Sequence, residues 1–169
     1  MAVEQQERTG GAPGRNETEY ERVDRNLTDL LQELRVALPG VQVLFAFLLT
    51  VPFQMRFQKA TTFEKDVYFG TLCCTAIASI LLIAPSAYHR IVFRLQDKQH
   101  IVDMANRFAV VGFAFLGVGM SGAILLVTSF LFSPATSIVA TAVAATLFLT
   151  LWYVLPVRRR LSLNRTGQR

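Results

Sequence analysis

The chain has 169 residues, 52% of them hydrophobic and only 17% charged, with Lys and Arg exceeding Asp and Glu to give a formal charge of +5. An ordinary soluble domain carries about 25% charged residues, and here the deficit is concentrated, because no Asp, Glu, Lys or Arg occurs from Phe108 to Val157. That distribution excludes a soluble enzyme, a secreted disulfide scaffold and a nucleic-acid-binding domain: the basic residues flank apolar runs instead of forming a basic face with interleaved aromatics.

Residues 1–20 (MAVEQQERTGGAPGRNETEY) combine Gly, Glu, Gln and Arg with almost no large aliphatic side chains. Such a segment buries too little apolar surface to offset the entropy of ordering, so a disordered cytoplasmic tail is expected. The polar first 35 residues also lack the apolar core of a cleavable signal, so the first membrane span is expected to serve as its own targeting signal. From Asn26 to Arg35 the pattern changes. Leu27, Leu30, Leu31 and Leu34 recur at helical spacing, while Asp29, Gln32, Glu33 and Arg35 fall off that face. Asn26 is a good N-cap. The spacing predicts a short amphipathic helix, lying on the membrane surface or against its own bundle, or offering a docking face to another protein.

Four apolar runs follow, at about 36–57, 67–88, 108–132 and 136–157. A run of this length reaches roughly 33 Å as a helix, enough to cross a bilayer core. The last two runs share the uncharged stretch, which is too long for one span and whose only break signal is Ser133-Pro134. The predicted fold is therefore all-α: an integral membrane four-helix bundle over 21–157, preceded by the short amphipathic helix and followed by a basic tail at 158–169. Pro52 and Pro85 each remove an amide donor and free the carbonyl of Leu48 or Leu81, which predicts kinks. In the loop between the second and third runs, Ile91, Val92, Leu95, Val102 and Ala105 fall at roughly helical spacing.

Of the 17 Lys and Arg, all but Arg56, Lys59 and Lys65 lie in the N-terminal arm, the loop between the second and third runs, and the C-terminal tail. The positive-inside rule then places both termini in the cytoplasm, in a multi-pass protein of the plasma membrane. A faint internal duplication aligns Arg35-Val36-Ala37 with Arg107-Phe108-Ala109 and Gly40 with Gly112, which would make the two halves parallel repeats.

Ion-coupled transporters place an ionisable side chain at bilayer depth, and these spans hold none. Their deepest polar groups are neutral: Gln42, Thr50 and Gln54 in the first, and Thr71, Thr75 and Ser79 in the second. The last three are four residues apart and share one helix face. Two readings stand: hydroxyls that glue the bundle together, or, with Gln42 opposite, one wall of a neutral polar path for a small solute or ion. In the third and fourth spans, Gly117/Ser121, Gly119/Ala123 and Ala140/Ala144 are pairs of small residues that let backbones approach closely, between these two helices or between protomers of a homo-oligomer. Cys73 and Cys74 read as small buried hydrophobes. His100 with Asp97 and Asp103 reads as a solvated helix face, so no metal site is expected. No nucleophile elbow, zinc-protease, P-loop or dinucleotide motif is present, so neither enzyme activity nor a cofactor is expected. The partners expected are the lipid bilayer, a second copy of the chain and a protein on the cytoplasmic side, with no nucleic acid.

Two stretches, 30–57 (LLQELRVALPGVQVLFAFLLTVPFQMRF) and 84–94 (APSAYHRIVFR), resemble a family of small four-span membrane proteins from actinobacteria catalogued as a domain of unknown function. The resemblance covers roughly residues 24–159. Members are sometimes labelled sodium:proton antiporters, and the family supplies no catalytic or ion-binding residue to carry onto this chain. The residues and the resemblance together lead to an integral membrane protein of unknown activity, a non-enzymatic membrane module, with a small transporter or channel for a cation or proton as the alternative.

Overall fold

In a computed structural model of the chain, residues 19–92 and 98–166 are described; they form helices joined by short turns, with no strand among them. Helix α1 spans Glu19–Thr50, α2 Thr62–Val92, α3 Lys98–Leu131 and α4 Pro134–Leu149; a π-helical turn, Thr150–Val154, carries α4 directly into α5, Leu155–Thr166. Four stretches are long and apolar enough to cross a membrane: Arg25–Phe53, Thr62–Tyr88, Ile101–Leu131 and Pro134–Leu163.

The amphipathic segment is not a separate helix. It runs without a break into the first span, and the seam of buried side chains explains why. Leu27, Leu34, Val41 and Leu48 are all buried and lie seven residues apart, so one apolar stripe crosses the boundary between the charged and uncharged parts of α1. A seven-residue repeat of this kind keeps a single helix face against its neighbours throughout. At the other end α1 stops at Thr50, short of the expected residue 57. Pro52 opens a 3-10 turn, Val51–Phe53, so it terminates the helix instead of kinking it. The Leu48 carbonyl left without a helical donor accepts a hydrogen bond from the Tyr68 hydroxyl at 3.1 Å.

The buried faces of α2 and α3 repeat in the same way. Thr71, Ala78 and Pro85 are buried on α2, with Thr75 and Leu82 beside them; Ala105, Gly112, Gly119 and Leu126 are buried on α3, with Ala109 and Leu116 beside them. Helices α1, α2 and α3 each touch the other two and form a three-helix core. The expected four-helix bundle is not closed: among the described residues α4 lies against α3 alone. Helix α4 is apolar all round, with Ile138, Val139, Val143 and Leu147 exposed, so its own sequence favours no second face against protein over lipid.

Pro134 opens α4 two residues before the expected start at 136, and the Ser133 hydroxyl caps the helix by accepting from the Thr136 amide at 3.3 Å. Helix α3 begins at Lys98 and buries Ile101 and Ala105, so the apolar positions read in the middle loop are split between two helices: Ile91 and Val92 end α2, Val102 and Ala105 belong to the start of α3, and Leu95 lies outside the described residues. The basic segment from Arg158 continues as helix to Thr166. Of the tail expected to be disordered, only Glu19 and Tyr20 fall among the described residues, and both are helical. The duplication does not hold in space: Gly40 has open surroundings, whereas Gly112 is packed on Leu82.

Candidate functional site

The hydroxyl stripe of α2 lies inside the three-helix core. Thr71 Oγ1 donates to the Val67 carbonyl at 2.7 Å, Thr75 Oγ1 to the Thr71 carbonyl at 2.8 Å, and Ser79 Oγ to the Thr75 carbonyl at 2.9 Å. Each hydroxyl thus spends its proton on its own helix, the usual resolution for Ser and Thr in an apolar setting. Thr75 is fully buried and Thr71 nearly so. What covers them is backbone. A Cβ at Gly119 would sit 2.7 Å from Thr75 Oγ1, and one at Gly122 would collide with Thr71 Oγ1. Further along, a Cβ at Gly112 would meet Leu82 Cγ and Cδ2 at 2.9 Å. The glycines of α3 are therefore what allows α2 to approach closely. Sequence reasoning assigned the small residues of α3 to α4 or to a second copy and missed this use. The signal was present in the seven-residue spacing of Gly112 and Gly119.

Gln42 does not join the stripe. It follows the fully buried Val41, so it points about 100° away from the seam, and its side chain is exposed. It lines a groove of about 640 Å³ on the outside of the core, between α1 and α2, with Arg35, Arg90, Ser86, Leu38 and Pro39. The four residues proposed for a polar path are thus divided. Thr71, Thr75 and Ser79 lie along α2, the two threonines against α3, and Gln42 faces outward elsewhere.

Gly117 and Ser121 lie on α3 and Ala140 and Ala144 on α4, two helices that pack against each other within one chain. Gly117 is buried, with Phe148 and Trp152 at 3.7 and 3.9 Å from the position of its missing Cβ. Ser121 Oγ donates to the Gly117 carbonyl at 2.7 Å. Ala140 and Ala144 are half-buried on the same stripe of α4 as Ser137 and Phe148, and among the described residues α3 is the long helix packed against α4. Trp152 stacks edge-on against Phe113 (5.7 Å between centroids) and lies tilted against Phe148 (5.1 Å). The Tyr153 hydroxyl donates to the Val110 carbonyl at 2.6 Å. The widened turn that carries Trp152 and Tyr153 immediately precedes Pro156, whose missing N–H leaves a helical carbonyl without its donor.

The opposite end of the core is held by a polar cluster that the sequence reading did not single out. Thr61 and Glu64 form a reciprocal cap at the start of α2: the Thr61 amide donates to Glu64 Oε2 at 2.8 Å and the Glu64 amide donates to Thr61 Oγ1 at 3.3 Å. The Thr-x-x-Glu pattern before an apolar run was the available signal. Ser129 Oγ donates to Glu64 Oε1 at 3.3 Å, and the Arg56 guanidinium donates to the Phe130 carbonyl, so the turn after α1 is tied to the end of α3. Among the described residues no group of three His, Cys, Asp or Glu is placed to hold a metal, and Asp97 lies outside them.

These features define an all-helical chain with four helices long and apolar enough to cross a membrane: a tightly packed three-helix core, a flanking fourth helix, and grooves on its outer surface. The chain belongs to DUF6328, a family of unknown function, whose family model matches residues 16–156. The matched region takes in both stretches on which the resemblance in sequence rests. No curated protein and no solved structure matches the chain significantly.

Proposed function

We propose that the chain is a non-enzymatic membrane module, which works by packing against lipid, a second copy or a partner protein rather than by passing a solute through itself. The observation that carries this reading is the state of the α2 stripe. Its three hydroxyl protons are committed to α2 carbonyls, and the two threonines are sealed against the glycines of α3. A solute path needs polar groups that can turn towards a passing ion or water. The charge distribution further supports a plasma-membrane protein with both termini in the cytoplasm, since the basic residues gather at the ends of the helices on that side. The alternative, a small transporter or channel for a cation or proton, requires Gln42, Thr71, Thr75 and Ser79 to share a water-accessible lumen.

Reconstitution into liposomes loaded with a pH-sensitive or cation-sensitive dye tests the reading. The expected result is no flux above that of empty liposomes under a sodium, potassium or proton gradient. Flux that disappears in the Gln42→Leu, Thr75→Val double variant while the protein remains folded would establish the alternative.

A further inference from the structure

Arg35 is the last charged residue before the uncharged part of α1, and Arg90 lies just beyond the uncharged part of α2. The two helices run antiparallel, with Tyr68 meeting Leu48 at one end of the pair and Arg90 sharing a groove with Arg35 at the other. We propose that this groove binds the phosphate headgroup of an anionic phospholipid, with Arg35 and Arg90 as a two-sided clamp. The inference rests on the reading of the chain as a membrane protein, but not on whether it conducts.

Three features of the groove select that ligand. The first is charge: two guanidiniums from different helices line it, and no acidic side chain lines it among the described residues. Guanidinium offers only donors, in a planar fork that matches two oxygens of a phosphate, so an oxyanion is the partner that satisfies it. The second is the neutral part of the lining. The Ser86 hydroxyl and the Gln42 amide supply further donors along the same wall. The third is depth. Gln42 lies two helical turns past Arg35 along α1, roughly 10 Å further into the apolar layer, and the intervening Leu38 and Pro39 make the α1 half of that stretch apolar, while Gln42 at its far end and Ser86 on α2 are polar. A free phosphate has no use for that half, whereas a phospholipid places its headgroup at the arginines and its first methylenes on Leu38 and Pro39. A volume of about 640 Å³ exceeds what a phosphate alone would fill and falls within the usual range of small-molecule sites. Basic recesses between membrane helices are the expected form of anionic-lipid sites.

The test uses the full chain, purified in a neutral detergent and transferred into nanodiscs of phosphatidylcholine doped with phosphatidylglycerol. Native mass spectrometry after release then counts which lipid is retained. The wild-type chain should retain phosphatidylglycerol over phosphatidylcholine by on the order of tenfold, since each arginine near an anionic headgroup contributes a several-fold bias. Arg35→Gln with Arg90→Gln should reduce that preference to near unity. Arg158→Gln with Arg159→Gln, which removes the same charge from α5, should leave it intact. Arg90→Lys, which keeps the charge and loses the fork, should fall between. The proposal is overturned by a wild-type chain without preference, or by equal loss in the α5 control, which would mean diffuse attraction to basic residues in general. It is also overturned if inorganic phosphate displaces the lipid, since the apolar half of the groove would then contribute nothing. Dye flux is scored separately, so a conducting chain with an intact lipid preference would remove the proposed function and leave this site standing.

Discussion

Replacing Gly122 with Ala puts a single methyl group at the tightest point between α2 and α3. The new Cβ would overlap Thr71 Oγ1 by roughly an ångström relative to ordinary van der Waals contact, and would lie 3.2 Å from Thr71 Cβ. Thr71 cannot simply turn away. It is β-branched, nearly fully buried, and held by its hydrogen bond to the Val67 carbonyl. Either that bond breaks or the two helices separate along a seam that also includes Gly119 and Gly112. Overpacking of this kind typically costs about 1–3 kcal/mol, against at most about 1 kcal/mol gained from the better helix propensity of Ala. Gly70→Ala isolates the propensity effect, because nothing lies within 4 Å of a Cβ there. Gly122→Ala should therefore be less stable than Gly70→Ala by about 2 kcal/mol. Cutting Thr71 back to Ala removes the colliding oxygen, so the double variant Thr71→Ala, Gly122→Ala should recover about 1–2 kcal/mol of that loss as a coupling energy. The assay is reversible unfolding in mixed micelles of neutral and denaturing detergent, followed by far-UV circular dichroism. A Gly122→Ala chain as stable as Gly70→Ala, or a double variant with purely additive losses, would refute the α2–α3 contact as described.

Tyr68→Phe should cost about 1 kcal/mol by removing the donor to the Leu48 carbonyl while keeping the ring contact with Phe57 (5.0 Å between centroids), as the same unfolding assay would show; a loss confined to a background carrying Pro52→Ala, where a backbone N–H again faces that carbonyl, would contradict it. Trp152 is the only tryptophan and sits beside Gly117, so Gly117→Leu should shift its fluorescence to longer wavelength by forcing α4 from α3, whereas Gly117→Ala should leave it unchanged. An unchanged spectrum together with loss of a dimer would instead assign Gly117 to a contact between copies. With Cys73 and Cys74 first replaced, a cysteine at Thr61 should react with an impermeant maleimide in intact cells and one at Thr166 should not; the reverse pattern would invert the topology.

The four long apolar helices were legible because a stretch long and apolar enough to cross a membrane announces itself by length and lack of charge alone. The break at Ser133-Pro134 was legible for a local reason too: a capping hydroxyl followed by a proline starts a helix whatever surrounds it. The orphan carbonyl at Leu48 followed from Pro52, although its partner did not, since Tyr68 reaches it across twenty residues of sequence. Tertiary pairing was the part that stayed hidden. Thr71, Thr75 and Ser79 could be placed on one face, but nothing in α2 says that glycines of α3 cover that face. A glycine carries no side chain to declare a preferred neighbour. Gln42 was misplaced because its polarity was weighed without its register, one residue beyond the buried seam of Leu34, Val41 and Leu48. The lone position of α4 was hidden for the opposite reason: a helix apolar on every side has no stripe from which to read where protein ends and lipid begins.

The polar groups of the long apolar helices divide into two kinds by what they have left to offer. Inside the core, the hydroxyls of Thr71, Thr75 and Ser79 have already donated their protons to carbonyls of α2, and no buried side-chain nitrogen or oxygen among the described residues lacks a hydrogen-bond partner. Satisfying such groups locally is what lets α2 and α3 approach through glycine without stranding a polar atom in an apolar medium. At the surface the balance is reversed. Arg35, Arg90, Gln42 and Ser86 stand around an open groove and bring more donors than acceptors to it. A core with its polar capacity spent has little left with which to recognise a passing solute, whereas a surface with donors in excess recognises whatever supplies oxyanions from outside. On the lipid-site proposal, the chemistry available to this chain therefore lies on its perimeter, at the arginine-lined groove. The substitutions that separate its function from its folding are accordingly the exposed arginines rather than the buried threonines.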